Sequence, residues 1–145
     1  LHNYLEFKMK ELLVIFFLVL SGQVQAEPWT LPIAAVVDGD TIKTQLPLPT
    51  PLDKVSIRIL GIDTPEKGSR AKCEKEAALA LKASAKIKQL AKGHKTMTVT
   101  EYKWDKFGGR IDAVVVINGV NVGDALIKDG LARPYFGEKK QSWCE

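Results

Sequence analysis

The stretch AKCEKEAALALKASAKIKQLAK, residues 71–92, decides the fold. It is rich in Ala, Lys, Glu and Leu, lacks internal Gly and Pro, and is followed by Gly93, which predicts a helix from Ala71 to Lys92. Cys73, Ala80, Ala83, Ile87 and Leu90 fall on one stripe, the face turned to a core. Lys72, Lys75, Lys82, Lys86 and Lys88 cover much of the rest and read as a solvated face, with a nucleic-acid patch as the alternative. Upstream, Pro32 to Val37 and Asp40 to Gln45 read as two strands around the turn signal Asp38-Gly39. Leu46 to Asp53 is a loop, and Val55, Ile57 and Ile59 alternate with Ser56, Arg58 and Leu60 as a third strand. Downstream, Lys95 to Tyr102 and Ile111 to Ile117 are two more strands. Val122 to Asp129 is a short helix closed by Gly130, with Val122, Leu126 and Ala125 facing inward. Five strands with the long helix between the third and fourth suit a mainly β, α+β chain, a Greek-key barrel of the OB type, better than a parallel α/β sheet.

Composition bounds the function without naming it. A chain of 145 residues fits one domain of average size, and 46% hydrophobic content excludes a disordered tail. A mean hydropathy of −0.05 excludes a multi-span membrane protein. The net charge of +4 permits an anionic partner without requiring one. Two cysteines make neither a metal cluster by themselves nor a disulfide-dense scaffold.

Residues 1–26 read as a targeting segment. Lys10 leads into the apolar run Leu12 to Leu20 and a small-residue exit ending Val24-Gln25-Ala26, the pattern of a secretory signal peptide cleaved after Ala26. The run is shorter than the roughly 20 residues that span a bilayer. A buried core helix or an uncleaved anchor are the alternatives. Met9 reads as the natural start, which makes residues 1–8 an over-called frame. Cleavage removes Glu6, Lys8, Lys10 and Glu11, two charges of each sign, so the net charge stays at +4. The expectation is a secreted or periplasmic protein, residues 27–145 forming one domain, off the membrane, monomeric and without an obligate protein partner.

Three polar clusters sit at the ends of apolar strands, where loops on a rigid scaffold carry function. They are Asp38-Gly39-Asp40-Thr41, Arg58 with Asp63-Thr64-Pro65-Glu66, and Asp105-Lys106-Phe107-Gly108-Gly109-Arg110. Each alone is commonly just a turn or a helix start. Together they supply what phosphodiester hydrolysis needs. Carboxylates and a carbonyl hold a hard divalent cation while leaving places for water and substrate. A further carboxylate deprotonates the attacking water, and two arginines grip the phosphate and offset its developing charge. No nucleophilic Ser or Cys is suggested. His94 is the one histidine outside the targeting segment, so a histidine-dyad mechanism lacks its second member, and zinc lacks a Cys/His cluster.

Val36 to Ile42, Ile57 to Glu66, Asp105 to Arg110 and Gly130-Leu131-Ala132 occur in an order and spacing that resembles the staphylococcal (micrococcal) nuclease homologues, through nearly all of residues 33–136. The resemblance implies an OB-type barrel with packed helices and a calcium-dependent phosphodiesterase acting on DNA and/or RNA. It implies that Asp40, Asp63 and the carbonyl of Thr64 are calcium ligands, that Glu66 activates the water, and that Arg58 and Arg110 bind and stabilise the phosphate. Two departures stand out. The family's Asp-x-Tyr-Gly-Arg has one extra glycine here and Phe107 for Tyr, and Phe107 becomes a candidate substrate contact. The chain also reaches Glu145 too soon for a full third helix like that of the type member. Arg133-Pro134-Tyr135-Phe136 replaces the tyrosine-bearing segment that borders the nucleotide pocket there, so Tyr135 is a candidate base-stacking residue, with plain packing the alternative.

The competing reading is a catalytically inactive OB-type nucleic-acid-binding module, which is expected to have lost at least one of Asp40, Arg58, Asp63, Glu66 or Arg110. All five are present. In an exported chain Cys73 and Cys144 read as a disulfide worth about 4 kcal/mol in the chain-entropy model. The alternative is a buried Cys73 and a free Cys144. With neither sulfur in the three clusters, loss of the bond is expected to leave calcium dependence unchanged.

Overall fold

A computed structural model describes residues 26–145. The segment read as a signal peptide thus lies outside the described residues, apart from Ala26. Nine strands and two helices follow: β1 (Trp29–Pro32), β2 (Ala35–Val36), β3 (Thr41–Gln45), β4 (Lys54–Ile59), β5 (Ile62–Asp63), α1 (Glu74–Ala91), β6 (Thr96–Trp104), β7 (Arg110–Ile117), β8 (Val120–Asn121), α2 (Val122–Lys128) and β9 (Arg133–Pro134). The main sheet runs β1-β6-β7-β4-β3-β2, with β8 beside β7, and β5 pairs with β9. The β4–β7 pair is parallel; the other ladders are antiparallel.

The strand expected over Pro32 to Val37 is two strands, and the break closes the barrel. β1 pairs with β6 at one sheet edge and β2 with β3 at the other. The chain changes partners between them: the Ile33 amide donates to the Lys95 carbonyl, and the Ala34 amide to the Lys43 carbonyl, each at 2.8 Å. Pro32, with no N–H to donate, sits at the changeover, and its carbonyl accepts the Thr44 hydroxyl at 2.7 Å. One continuous segment therefore joins both edges, which makes the sheet an OB-type barrel with packed helices.

The barrel fills from strict alternation. Ile57 and Ile59 of β4, Met97 and Val99 of β6, and Ala113, Val115 and Ile117 of β7 are all buried. Ala80, Ala83 and Ile87 of α1 are buried as the stripe requires, and Val122 and Leu126 of α2 join the core, while Cys73, Leu90 and Ala125 are half-buried.

Helix α1 starts at Glu74 rather than Ala71. Residues Gly68–Arg70 form a 3-10 turn, and Cys73 then caps the helix, its Sγ accepting the Glu76 amide at 3.4 Å. The sequence pattern missed the role of Glu76, which is buried at 4% exposure within this first turn. Its carboxylate accepts the amides of Lys72 at 2.7 Å and Glu66 at 3.2 Å, pinning the loop between β5 and α1. No helix follows β9 among the described residues. That segment is held by side chains and by the disulfide between Cys73 and Cys144, 71 positions apart.

Candidate active site

Asp40, Arg58 and Arg110 converge because of strand register. Asp40 precedes β3, and its carbonyl accepts the Ile59 amide at 2.8 Å, which fixes it beside β4. Thr41 is the ladder partner of Arg58, and Arg110, opening β7, is the partner of Ser56. These two arginines line a cleft of about 160 Å³ together with Asp38, Asp40, Thr64, Glu66 and Lys140.

The Asp38-Gly39 turn is packed against α1 as tightly as glycine allows. A Cβ at Gly39 would lie 2.8 Å from the Ala83 Cβ and 3.3 Å from the Thr64 side chain. This close approach brings the first acidic cluster to the second. Asp40 Oδ1 accepts the Thr41 hydroxyl at 2.7 Å, and Arg58 Nε stands 3.6 Å from Oδ2. Burial pushes the Asp40 carboxyl above its ordinary range and the neighbouring Asp38 pushes it further, against the Thr41 hydroxyl and Arg58. The charged form of Asp40 is thus disfavoured mainly by its burial.

Gly108 and Gly109 take φ of 74° and 68°, so two successive left-handed residues absorb the extra glycine of the third cluster. The hairpin still closes between the Asp105 amide and the Arg110 carbonyl at 2.9 Å. Arg110 is oriented by Asp105, whose Oδ2 accepts from Nη2 at 2.6 Å and Nε at 3.1 Å. Asp105 is buried, and the Phe107 amide and Arg110 together hold its carboxyl below the ordinary range. Sequence reasoning placed Asp105 in the cluster without giving it this role.

Glu66 lies at the cleft with Oε2 3.2 Å from Arg70 Nε, and Arg70 also reaches Asp38 at 3.5 Å. Lys67 donates to the Val37 carbonyl and closes the loop over the turn.

Asp63 departs most from expectation. It is buried in β5, and both its oxygens are taken by the segment after β9: Oδ1 accepts Lys140 Nζ at 2.6 Å and Oδ2 accepts Trp143 Nε1 at 3.1 Å. Lys140 lines the cleft while Asp63, its partner, does not and faces the adjoining groove instead. Burial pulls the Lys140 ammonium down, but Asp63 and Glu66 outweigh it and hold it above its ordinary range. No periodicity or motif in residues 137–145 signalled these contacts. The disulfide, expected to stand apart from the site, joins the residue beside Trp143 to the cap of α1.

The two candidate substrate contacts lie outside the cleft lining. Phe107 is 80% exposed at the hairpin tip. Tyr135 is half-buried, its amide donating to the Gly61 carbonyl at 2.8 Å and its ring 5.5 Å from Lys140 Nζ.

The donor set fits a hard cation. Asp40, Asp63 and Thr64 offer oxygens, the atoms a hard cation takes, and a lysine ammonium already stands at Asp63 as a cation does. A soft metal has no comparable place among the described residues, since the one Cys-containing cluster, Cys73, Glu76 and Cys144, has its sulfurs bonded to each other.

Fold and cleft together define an OB-type barrel bearing a carboxylate and arginine site at the ends of β3, β4 and β7. Residues 56–143 match the staphylococcal nuclease homologue family, and the chain belongs to it. It is 35% identical over 106 residues to Endonuclease YhcR of Bacillus subtilis (strain 168), a match covering 70% of this chain and 8% of that protein. It is 30% identical over 103 residues to an uncharacterized endonuclease of Escherichia coli O157:H7, covering 71% of this chain and 59% of that protein. The chain therefore spans only part of the length of these relatives.

Proposed function

We propose that this protein is an exported, calcium-dependent nuclease that hydrolyses phosphodiester bonds of DNA and/or RNA. The observation that carries the reading is the convergence of Asp40, Thr64, Glu66, Arg58 and Arg110 on one cleft. Family membership and the endonuclease names of the relatives support it. In this reading Asp40, Asp63 and the Thr64 carbonyl hold the ion. When bound, calcium supplies Lewis-acid polarisation of the phosphate and of water. Glu66 takes the proton of the attacking water, with Arg70 engaging Oε2 and leaving Oε1 as acceptor. Arg58 and Arg110 bind the phosphate oxygens and offset charge developing on the pentacoordinate phosphorus, Arg110 preset by donating from Nε and Nη2 to Asp105 Oδ2.

The adjoining groove of about 760 Å³ shares Thr64, Glu66 and Lys140 with the cleft. Its charges balance, Lys72, Arg133, Lys139 and Lys140 against Asp63, Glu66, Glu76 and Glu145, so the hold on a phosphate falls to Arg58 and Arg110. Export is supported by the apolar run of residues 12–20 and by the disulfide, which persists in oxidising compartments. No helix among the described residues is long and apolar enough to cross a membrane.

Digestion of single-stranded DNA with calcium, with excess EDTA, and with calcium plus Glu66→Gln tests the reading. Cleavage should require calcium and be lost in the variant. Full activity in EDTA would end the metal-dependent mechanism, and binding without cleavage would favour a nucleic-acid-binding module.

A further inference from the structure

Asp63 has both oxygens engaged, at 2.6 Å and 3.1 Å, and both partners come from the same short segment. Trp143 is buried at 7% exposure and held from several directions. The guanidinium of Arg133 stacks 3.8 Å above its ring, Arg133 Nη1 donates to the Ser142 carbonyl at 2.9 Å, and the next residue is disulfide-bonded to the cap of α1. Arg133 is also the ladder partner of Asp63 in the β5–β9 pair. An indole N–H fixed this way can point only at Oδ2, so it sets the rotation of the carboxylate. Lys140 is different in kind. Its side chain is 46% exposed on a flexible stem, and its ammonium takes Oδ1, the remaining oxygen.

We propose that the strap formed by residues 137–145 sets the cation affinity of the site, with Trp143 as a positioning residue that orients Asp63 and Lys140 as a tethered cation that a metal ion must displace from Oδ1. The inference rests on the calcium reading of the cleft. Its physical basis is that an ammonium and a divalent ion cannot share one carboxylate oxygen without strong repulsion, so the lysine must swing out as the ion enters. The two residues therefore act in opposite directions. Trp143 favours binding by fixing the ligand, and Lys140 opposes it by competing. The disulfide belongs to the same device, because it seats Trp143.

Titration of the purified protein with calcium alone, by calorimetry and without nucleic acid, separates these roles. Lys140→Met should tighten calcium binding by about threefold or more, the scale of a partly exposed ion pair. Trp143→Phe, which keeps an apolar ring and loses the N–H, should weaken it by roughly tenfold, the scale of an outer-shell partner. The indole N–H resonance of Trp143 should move on adding calcium, a response that a merely structural tryptophan would not give. Lys140 is exposed enough for its variant to fold whatever the fate of Trp143→Phe. Unchanged affinity in Lys140→Met, with a binding wild type and a still indole resonance, would overturn the inference and leave the calcium reading standing. A wild type that binds no calcium would overturn both.

Discussion

The two halves of the proposed site are held by different kinds of force. Asp40, Arg58 and Arg110 ride on β3, β4 and β7, where backbone ladders and the Ile59 amide fix their positions. Asp63 sits at the edge of that frame, in a two-residue strand whose partner is equally short, and Glu66 lies in the loop that follows. Their side chains are placed by other side chains: Glu76 for the Glu66 backbone, Arg70 for its carboxylate, Lys140 and Trp143 for Asp63. A ladder resists a distant substitution because many bonds share the load. A network of single side-chain contacts fails one contact at a time. The arginine half should thus behave as rigid architecture and the acidic half as an adjustable assembly, its Asp63 partners held in place by one covalent bond.

Cutting that bond is the strongest way to break the comparison. Reduction, or Cys73→Ser with Cys144→Ser, should cost about 4 kcal/mol of stability and lower Tm by roughly 10 °C or more. Thermal melts with and without reductant check this. Far-ultraviolet circular dichroism at low temperature should keep its β signature, since no ladder contains either sulfur. Collapse of the sheet signal on reduction would show that the barrel depends on the strap as well.

Substituting an arginine sharpens the other side. Arg110→Lys keeps the charge and loses the planar fork that meets Asp105, and kcat should fall by about 10²-fold or more. Calcium affinity should barely move, and Tm should fall modestly, because buried Asp105 loses one of its two bonds from Arg110 while the β7 ladder stays in place. Near-normal kcat would mean that the two left-handed glycines have carried this arginine away from the phosphate.

Glu76 links the halves and gives an intermediate effect. Glu76→Ala leaves the Lys72 and Glu66 amides without their acceptor, at a cost of about 1–3 kcal/mol. Hydrogen exchange should rise across residues 64–72 and stay low across β4 and β7. Uniform exchange in both regions would mean that the loop is held by something other than this carboxylate.

What was legible in the sequence divides along the same line. The alternation of β4 and β7 and the stripe of α1 are periodic signals, so the barrel interior and the helix face were readable, and the residues riding on them came with the strands. The Asp38-Gly39 turn was readable because Asp-Gly has few conformational uses. The changeover at Pro32 was not, since a strand that swaps partners has the same alternation as one that does not. Of the strap, the Cys73–Cys144 bond was readable from export and the cysteine count, but Lys140 and Trp143 have no period, and their positions come from contacts with Asp63, a residue some 80 positions away. The departure at Gly108-Gly109 was visible as an insertion. That it leaves Arg110 at the cleft depends on backbone angles that only the folded hairpin fixes.

The smallest expected effect concerns Asp40, the proposed ion ligand on the rigid half. Burial and Asp38 raise its carboxyl above the ordinary value of 3.8, so the folded protein binds a proton there that the unfolded chain has already released. Stability from this group is therefore present below that ordinary value and lost as pH rises through the raised one, so at neutral pH the bare carboxylate works against the fold. Asp40→Asn removes the charge and should stabilise the calcium-free protein at neutral pH by less than about 1 kcal/mol, while activity is lost. The gain should vanish in acid, where the wild-type carboxyl is already protonated. Calcium should reverse the ranking, because an ion that binds only the folded state stabilises the wild type in proportion to the logarithm of its concentration and offers little to the variant. Paired melts of both proteins, at neutral and acid pH and with and without calcium, check the crossing. If Asp40→Asn is less stable than the wild type without calcium at neutral pH, the turn is held by the Asp40 charge through Arg58 and Thr41, and those partners outweigh the cost of its burial.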